Sequence, residues 1–251
     1  MCFYVIILEY KLITIEQKVI IMKKLGLMGG FGQESTIAFY RGVTDRIKEK
    51  LGDECMPDIT IESMSIFEVL DLCEHGRYAP VADYLTDGMR NLDRAGCDII
   101  AMAGVTPHIV FPEVEAHTNK TMISMVDTAC DAAAADGYRK VGLIGTLPTM
   151  DGTFMQWAFG ARRIEIVTPD EEDKLEIDRI IRYELEQGIV KPESKKFIQD
   201  VVARIDEKND IEAILLGATE FSLIFGEKEF VVPTIDMMRT QIDKLADLII
   251  E

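Results

Sequence analysis

Lys24-Leu25-Gly26-Leu27-Met28-Gly29-Gly30 decides the reading of this chain, because the sequence repeats it as Lys140-Val141-Gly142-Leu143-Ile144-Gly145-Thr146. A second stretch, Ile99-Ile100-Ala101-Met102-Ala103-Gly104-Val105-Thr106, is echoed by Ala213-Ile214-Leu215-Leu216-Gly217-Ala218-Thr219. The offset from Lys24 to Lys140 and the offset from Ala103 to Ala218 differ by one residue. Two matches at nearly one spacing imply a duplicated α/β unit, with like elements facing each other across a shared cleft.

Working outward, strands alternate with helical stretches. Residues 24–28 read as a short apolar strand that breaks into Gly29-Gly30-Phe31-Gly32, and a helix follows from Ser35 and Thr36 to about Lys50. Residues 59–61 read as a second strand and 78–95 as a helix. Residues 98–102 form a continuous apolar run, the mark of a strand buried on both faces. A strand over 121–126 leads into an alanine-rich helix over 127–136 that Gly137 closes. The second half repeats the order: a strand at 140–144, a helix near 150–159, a strand at 165–167, helices through Ile205, strands at 213–216 and 232–235, and a final helix. This alternation specifies parallel sheets flanked by helices, with ligands beyond the carboxyl ends of the strands.

Composition narrows the function class. The 251 residues suffice for two lobes with a real core, and 48% hydrophobic with 28% charged residues is a globular balance. A formal net charge of −17 disfavours nucleic acid and anionic membrane surfaces, which need clustered Lys and Arg. Five cysteines without a framework spacing read as reduced thiols of a cytoplasmic protein. Residues 1–21 lack the layout of a signal peptide and are too charged to span a bilayer, so they read as an extension ahead of a start at Met22.

The glycine-rich turn after the first strand matches a dinucleotide fingerprint poorly, because Ser35 stands at its third glycine. Two other readings stay open there. Helix-start amides with the Ser35 and Thr36 hydroxyls would hold a carboxylate, or those hydroxyls merely cap the helix.

The two strand ends carry Ala103-Gly104-Val105-Thr106-Pro107-His108 and Gly217-Ala218-Thr219-Glu220. With Gly29-Gly30 before Glu34-Ser35-Thr36, Gly145-Thr146 before Thr149-Met150, and Pro233-Thr234-Ile235-Asp236, they make the chain resemble the aspartate/glutamate racemase family from Met22 onward. The resemblance implies two pseudo-twofold-related lobes with the site between them, no cofactor and a homodimer. It implies a first lobe of 22–126 plus 236–251, with the last helix crossing back onto it, and a second lobe of 127–235. It also implies a small amino-acid or dicarboxylate ligand held by Gly30, Ser65, Thr106, Thr146, Thr149, Thr219 and Glu220, with His108 orienting. For the threonines, local turn bonding is the competing reading.

The departure from the family is in the thiols. Patterns resembling C-x-N-T-x-H and G-C-T-E become Ala103, Val105 and Ala218. Racemisation removes a weakly acidic α-hydrogen from one face and returns a proton to the other, so it needs two exchangeable groups. A thiolate serves when donors lower its pKa, whereas alanine has no proton to exchange. His108 and Glu220 lie near the strand ends and can titrate, but neither stands at a thiol position. Cys97 and Cys130 read as packing residues, and Cys73 with His75 lacks the further ligands of a metal site. Ser63-Met64-Ser65 and Trp157 stand where some relatives carry Arg and Lys for a distal carboxylate. Paired Cys→Ala replacement would explain the alanines alone; Val105 and the missing distal cation favour divergence. The expectation is a racemase-family protein impaired in turnover, with a non-catalytic small-carboxylate-binding paralogue as the alternative and a related lyase or isomerase third.

Overall fold

The computed structural model describes residues 22–226 and 228–251, so the extension expected over 1–21 lies outside the described residues. The first half runs β1 (Leu25–Gly29), α1 (Gln33–Leu51), β2 (Ile59–Ser63), α2 (Ile66–Glu74), α3 (Tyr78–Arg94) and β3 (Ile99–Met102). A 3-10 turn (Thr106–Val110), α4 (Phe111–Glu115), β4 (Thr121–Ile123) and α5 (Met125–Ala135) complete it. The second half runs β5 (Lys140–Gly145), α6 (Leu147–Asp151), α7 (Thr153–Ala161), β6 (Glu165–Val167) and α8 (Glu171–Tyr183). A 3-10 turn (Leu185–Gln187), α9 (Pro192–Asn209), β7 (Ala213–Gly217), α10 (Phe221–Ile224), β8 (Thr234–Asp236) and α11 (Met237–Ile250) follow.

The echoed segments occupy equivalent places. Two four-stranded sheets, ordered β2-β1-β3-β4 and β6-β5-β7-β8, are parallel throughout. The repeated strands β1 and β5 pair with the repeated strands β3 and β7 at the centre of each sheet. Their continuous apolar runs follow from burial on both faces. In the first sheet Leu25, Leu27, Ile99 and Ala101 join one core, while Met28, Ile100 and Met102 face another.

The last helix returns to the first sheet. Ile249 accepts from the Lys23 amide at 2.8 Å, and Gln241 donates to the Ile123 carbonyl at 2.7 Å. Lys50 pairs with Asp247 at 2.8 Å across α1 and α11.

Some boundaries differ from expectation. The strand expected to reach residue 126 stops at Ile123, because Ser124 adopts an extended N-cap conformation and its Oγ accepts from Asp127 N at 3.1 Å. The single helix expected near 150–159 is two, α6 and α7, broken where Gly152 is extended at φ −67° and ψ 138°. Helix α2 was not anticipated, although Ile66, Val69, Leu70 and Cys73 form its buried stripe.

Candidate active site between the lobes

The carboxyl ends of the two sheets meet. Thr106, after β3, and Thr146, after β5, place their hydroxyls 2.9 Å apart, and Thr149 Oγ1 lies 2.9 Å from Thr146 and 3.4 Å from Thr106. All three side chains are buried, so each hydroxyl satisfies its neighbours where water is excluded.

A small cavity opens beside this triangle. Phe31, Ile66, Gly104, Val105, Thr106 and Pro107 wall it from the first half; Thr146, Glu186, Gly217, Ala218, Thr219 and Glu220 wall it from the second. Its volume is about 10 Å³, of the order of one water. The lobes are therefore closed on the site. The closure is held by Ser35, whose Oγ donates to Glu220 Oε1 at 2.7 Å, and by an ion pair between Glu74 of α2 and Arg182 of α8. Arg182 is also paired with Asp178 at 2.6 Å, and Asp178 accepts from the Leu147 amide at 2.7 Å.

Every titratable side chain on the cavity wall belongs to the second lobe. Glu220 is fully buried, and burial raises its carboxyl above the usual range despite the bonds from Ser35 and Thr219. Burial, reinforced by the Glu220 charge, pushes Glu186 up to about 8, with the Arg182 guanidinium pulling the other way. A charge on Glu220 therefore disfavours a charge on Glu186, so the pair ionises less readily than two separate carboxyls. Both lean on Gly32, at φ 104°, where a Cβ would collide with Glu220 Oε1 and lie 3.2 Å from Glu186 Oε2.

The remaining expected site residues are placed as follows. Ala218 is on the cavity wall; Ala103 is fully buried behind it, at the end of β3, its amide donating to the Met28 carbonyl at 2.9 Å. Gly30 and Ser65 are not brought to the cavity: Gly30 turns the chain at φ 81° beside Met64, and Ser65 is exposed at the start of α2. His108 is not on the wall either. Its Nδ1 bonds the Gly104 carbonyl at 2.9 Å and its Nε2 accepts from Met125 N at 2.9 Å, so the ring is the neutral Nδ1–H tautomer. Burial drives its pKa down to about 4, and both nitrogens are occupied in joining the 3-10 turn to α5.

The expected capping is absent, since no side chain caps the start of α1, and both hydroxyls are engaged within the chain. Ser35 crosses the cleft to Glu220, while Thr36 Oγ1 accepts from Gly30 N at 2.9 Å and donates to the Gly32 carbonyl at 2.8 Å. Cys73, Cys97 and Cys130 are buried, and desolvation raises their thiols, Cys73 to about 11 and Cys130 to about 12. Such thiols are poor nucleophiles. Trp157 is 76% exposed on an outer groove, away from the cavity. Glu186 is the residue that sequence reasoning missed. No three His, Cys, Asp or Glu among the described residues are grouped to hold a metal, and no described helix is long and apolar enough to cross a membrane.

Two parallel sheets with their carboxyl ends closed on one small cavity define a two-lobed α/β protein. The chain belongs to the Asp/Glu/hydantoin racemase family, whose pattern matches residues 28–245. It is similar to the broad-specificity amino-acid racemase RacX of Bacillus subtilis (strain 168), at 22% identity over 219 residues, covering 84% of this chain and 92% of that protein. Among solved structures it is similar to an aspartate racemase homologue from Pyrococcus horikoshii OT3, at 33% identity and TM-score 0.76, covering 92% of this chain and 100% of that one. A Yersinia pestis protein, provisionally assigned as an Asp/Glu racemase, aligns at 29% identity and TM-score 0.81 over 92% of this chain and 100% of its own.

Proposed function

We propose that this protein binds a small amino acid between its lobes and racemises it at no more than a trace rate. One observation carries the reading: the first-lobe wall of the cavity offers no titratable side chain, while both carboxyls stand on the second-lobe wall with Ala218. A two-base racemisation needs a proton-exchanging group on each face of the α-carbon. Thr106, Thr146 and Thr219 supply hydroxyls for ligand contacts, and His108 holds the loop that presents Thr106. Along the chain, we assign 22–126 with 236–251 to the first lobe and 127–235 to the second, which is supported by the return of α11 onto α1.

The test is α-hydrogen exchange in deuterated water, followed by NMR over a panel of free amino acids, with thermal melting on the same panel. The expected result is ligand-dependent stabilisation with exchange near background. Stabilisation without any exchange identifies a non-catalytic small-carboxylate-binding paralogue. Rapid exchange by the unmodified chain overturns the proposal and moves attention to Glu186 and Glu220.

A further inference from the structure

Glu186 has no hydrogen bond or ion pair among the described residues, although it is nine-tenths buried and its carboxyl lines the inter-lobe cavity. A buried carboxyl without a hydrogen-bond donor is costly, and Arg182 offsets that cost only in part, being paired with Asp178 and Glu74. Its companion Glu220 spends one oxygen on Ser35 and sits between two spaces. One is the small inter-lobe cavity. The other is an outer cavity of about 430 Å³, also walled by Leu185, Val190, Leu223 and Ile224, with Glu34 and Gln187 among its polar edges. The outer space is large enough for an amino-acid side chain, and its aliphatic wall suits one that is not acidic.

Resting on the reading that the cleft binds a small amino acid, we propose that Glu186 and Glu220 form the ammonium-recognition subsite of that cleft. The ligand is then an aliphatic amino acid with a neutral or basic side chain, not aspartate or glutamate. An ammonium group supplies the positive charge and the hydrogen-bond donors that Glu186 lacks, and displaces the Ser35 hydroxyl as a partner of Glu220. A second carboxylate would be driven against two buried acids in a low-dielectric site, which like charges disfavour. The aliphatic stem lies along Leu185, Leu223 and Ile224, and a basic end would reach the Glu34 edge.

The experiment is calorimetric titration of the full chain with both enantiomers of leucine and of lysine, with aspartate, and with 4-methylpentanoate, which is leucine without its amino group. Leucine or lysine should bind, with aspartate and 4-methylpentanoate at least about tenfold weaker, the scale of one charged hydrogen bond. Glu186→Gln, which keeps shape and removes charge, should weaken leucine by roughly ten- to a hundredfold and leave 4-methylpentanoate unchanged. Because the ligand series uses the unmodified chain, it decides the matter even if the variant is poorly folded. Equal binding of leucine and 4-methylpentanoate, or preferred binding of aspartate, overturns the ammonium subsite while the proposed function stands. No binding by any member overturns the proposed function and this inference with it.

Discussion

Ser35 Oγ donates to Glu220 Oε1 at 2.7 Å, and by that bond α1 of one lobe is fastened to the strand-end loop of the other. It is a buried bond to a carboxyl, and water cannot replace it in the closed state. Ser35→Ala should therefore destabilise the closed protein by about 1–3 kcal/mol. At this size that lowers the melting temperature by about 2–4 °C per kcal/mol. Urea unfolding of the variant beside the parent measures it. An unchanged midpoint would mean that the bond contributes nothing to closure.

The Glu186 carboxyl ties stability to pH. Its pKa is raised from 4.5 to about 8 on folding, by burial first and the Glu220 charge second, with Arg182 opposing. Between those values the folded state holds more protons than the unfolded state, so this group's contribution falls as pH rises. The loss is complete above about pH 8. Glu186→Gln cannot ionise and should lack this loss. The stability difference, variant minus parent, should grow in the variant's favour between about pH 5 and pH 9. Denaturation midpoints across that range check the slope; a flat difference would place Glu186 in contact with water.

His108 gives the opposite slope. Its folded pKa is lowered from 6.5 to about 4 by burial, so the unfolded chain takes up the proton first. The penalty on folding begins as pH falls through about 6.5 and is complete below about 4. Nitrogen NMR of the ring should show the neutral Nδ1–H tautomer at pH 5. His108→Ala strands the Gly104 carbonyl and the Met125 amide and should cost about 2–5 kcal/mol. An imidazolium at pH 5 would contradict the bonding described.

These residues also show what was legible in the sequence. The repeated apolar runs located all four central strands, because a strand buried on both faces leaves no choice of residue class. The positions of Thr106, Thr146 and Thr149 near the strand ends were legible because each falls in the turn or short helix that follows a repeated strand. Glu186 was not: it sits in the turn after α8, and only tertiary packing against Gly32 and Glu220 brings it to the cleft. Ser35 failed as a cap for the same reason, since its partner lies in the other lobe. Helix α2 carried its signal in Ile66, Val69, Leu70 and Cys73, which repeat at helical spacing.

Introducing thiols at Ala103 and Ala218 tests the alanines directly, and the two positions should not behave alike. Ala218 borders the cavity, so Ala218→Cys has space for a sulfur. Ala103 is fully enclosed at the end of β3, and Ala103→Cys should cost about 1–3 kcal/mol through overpacking. The double variant should gain α-hydrogen exchange beyond either single variant, because the two proton transfers occur on opposite faces. Even so, a thiol at 218 shares its wall with Glu186 and Glu220, and nearby negative charge keeps it from ionising. Adding Glu186→Gln to the double variant should therefore raise exchange further and lower the pH at which it appears, unless loss of ammonium binding lowers occupancy. Measuring exchange at saturating ligand separates those effects. A triple variant no better than the double at saturation would show that Glu186 does not govern the introduced thiol.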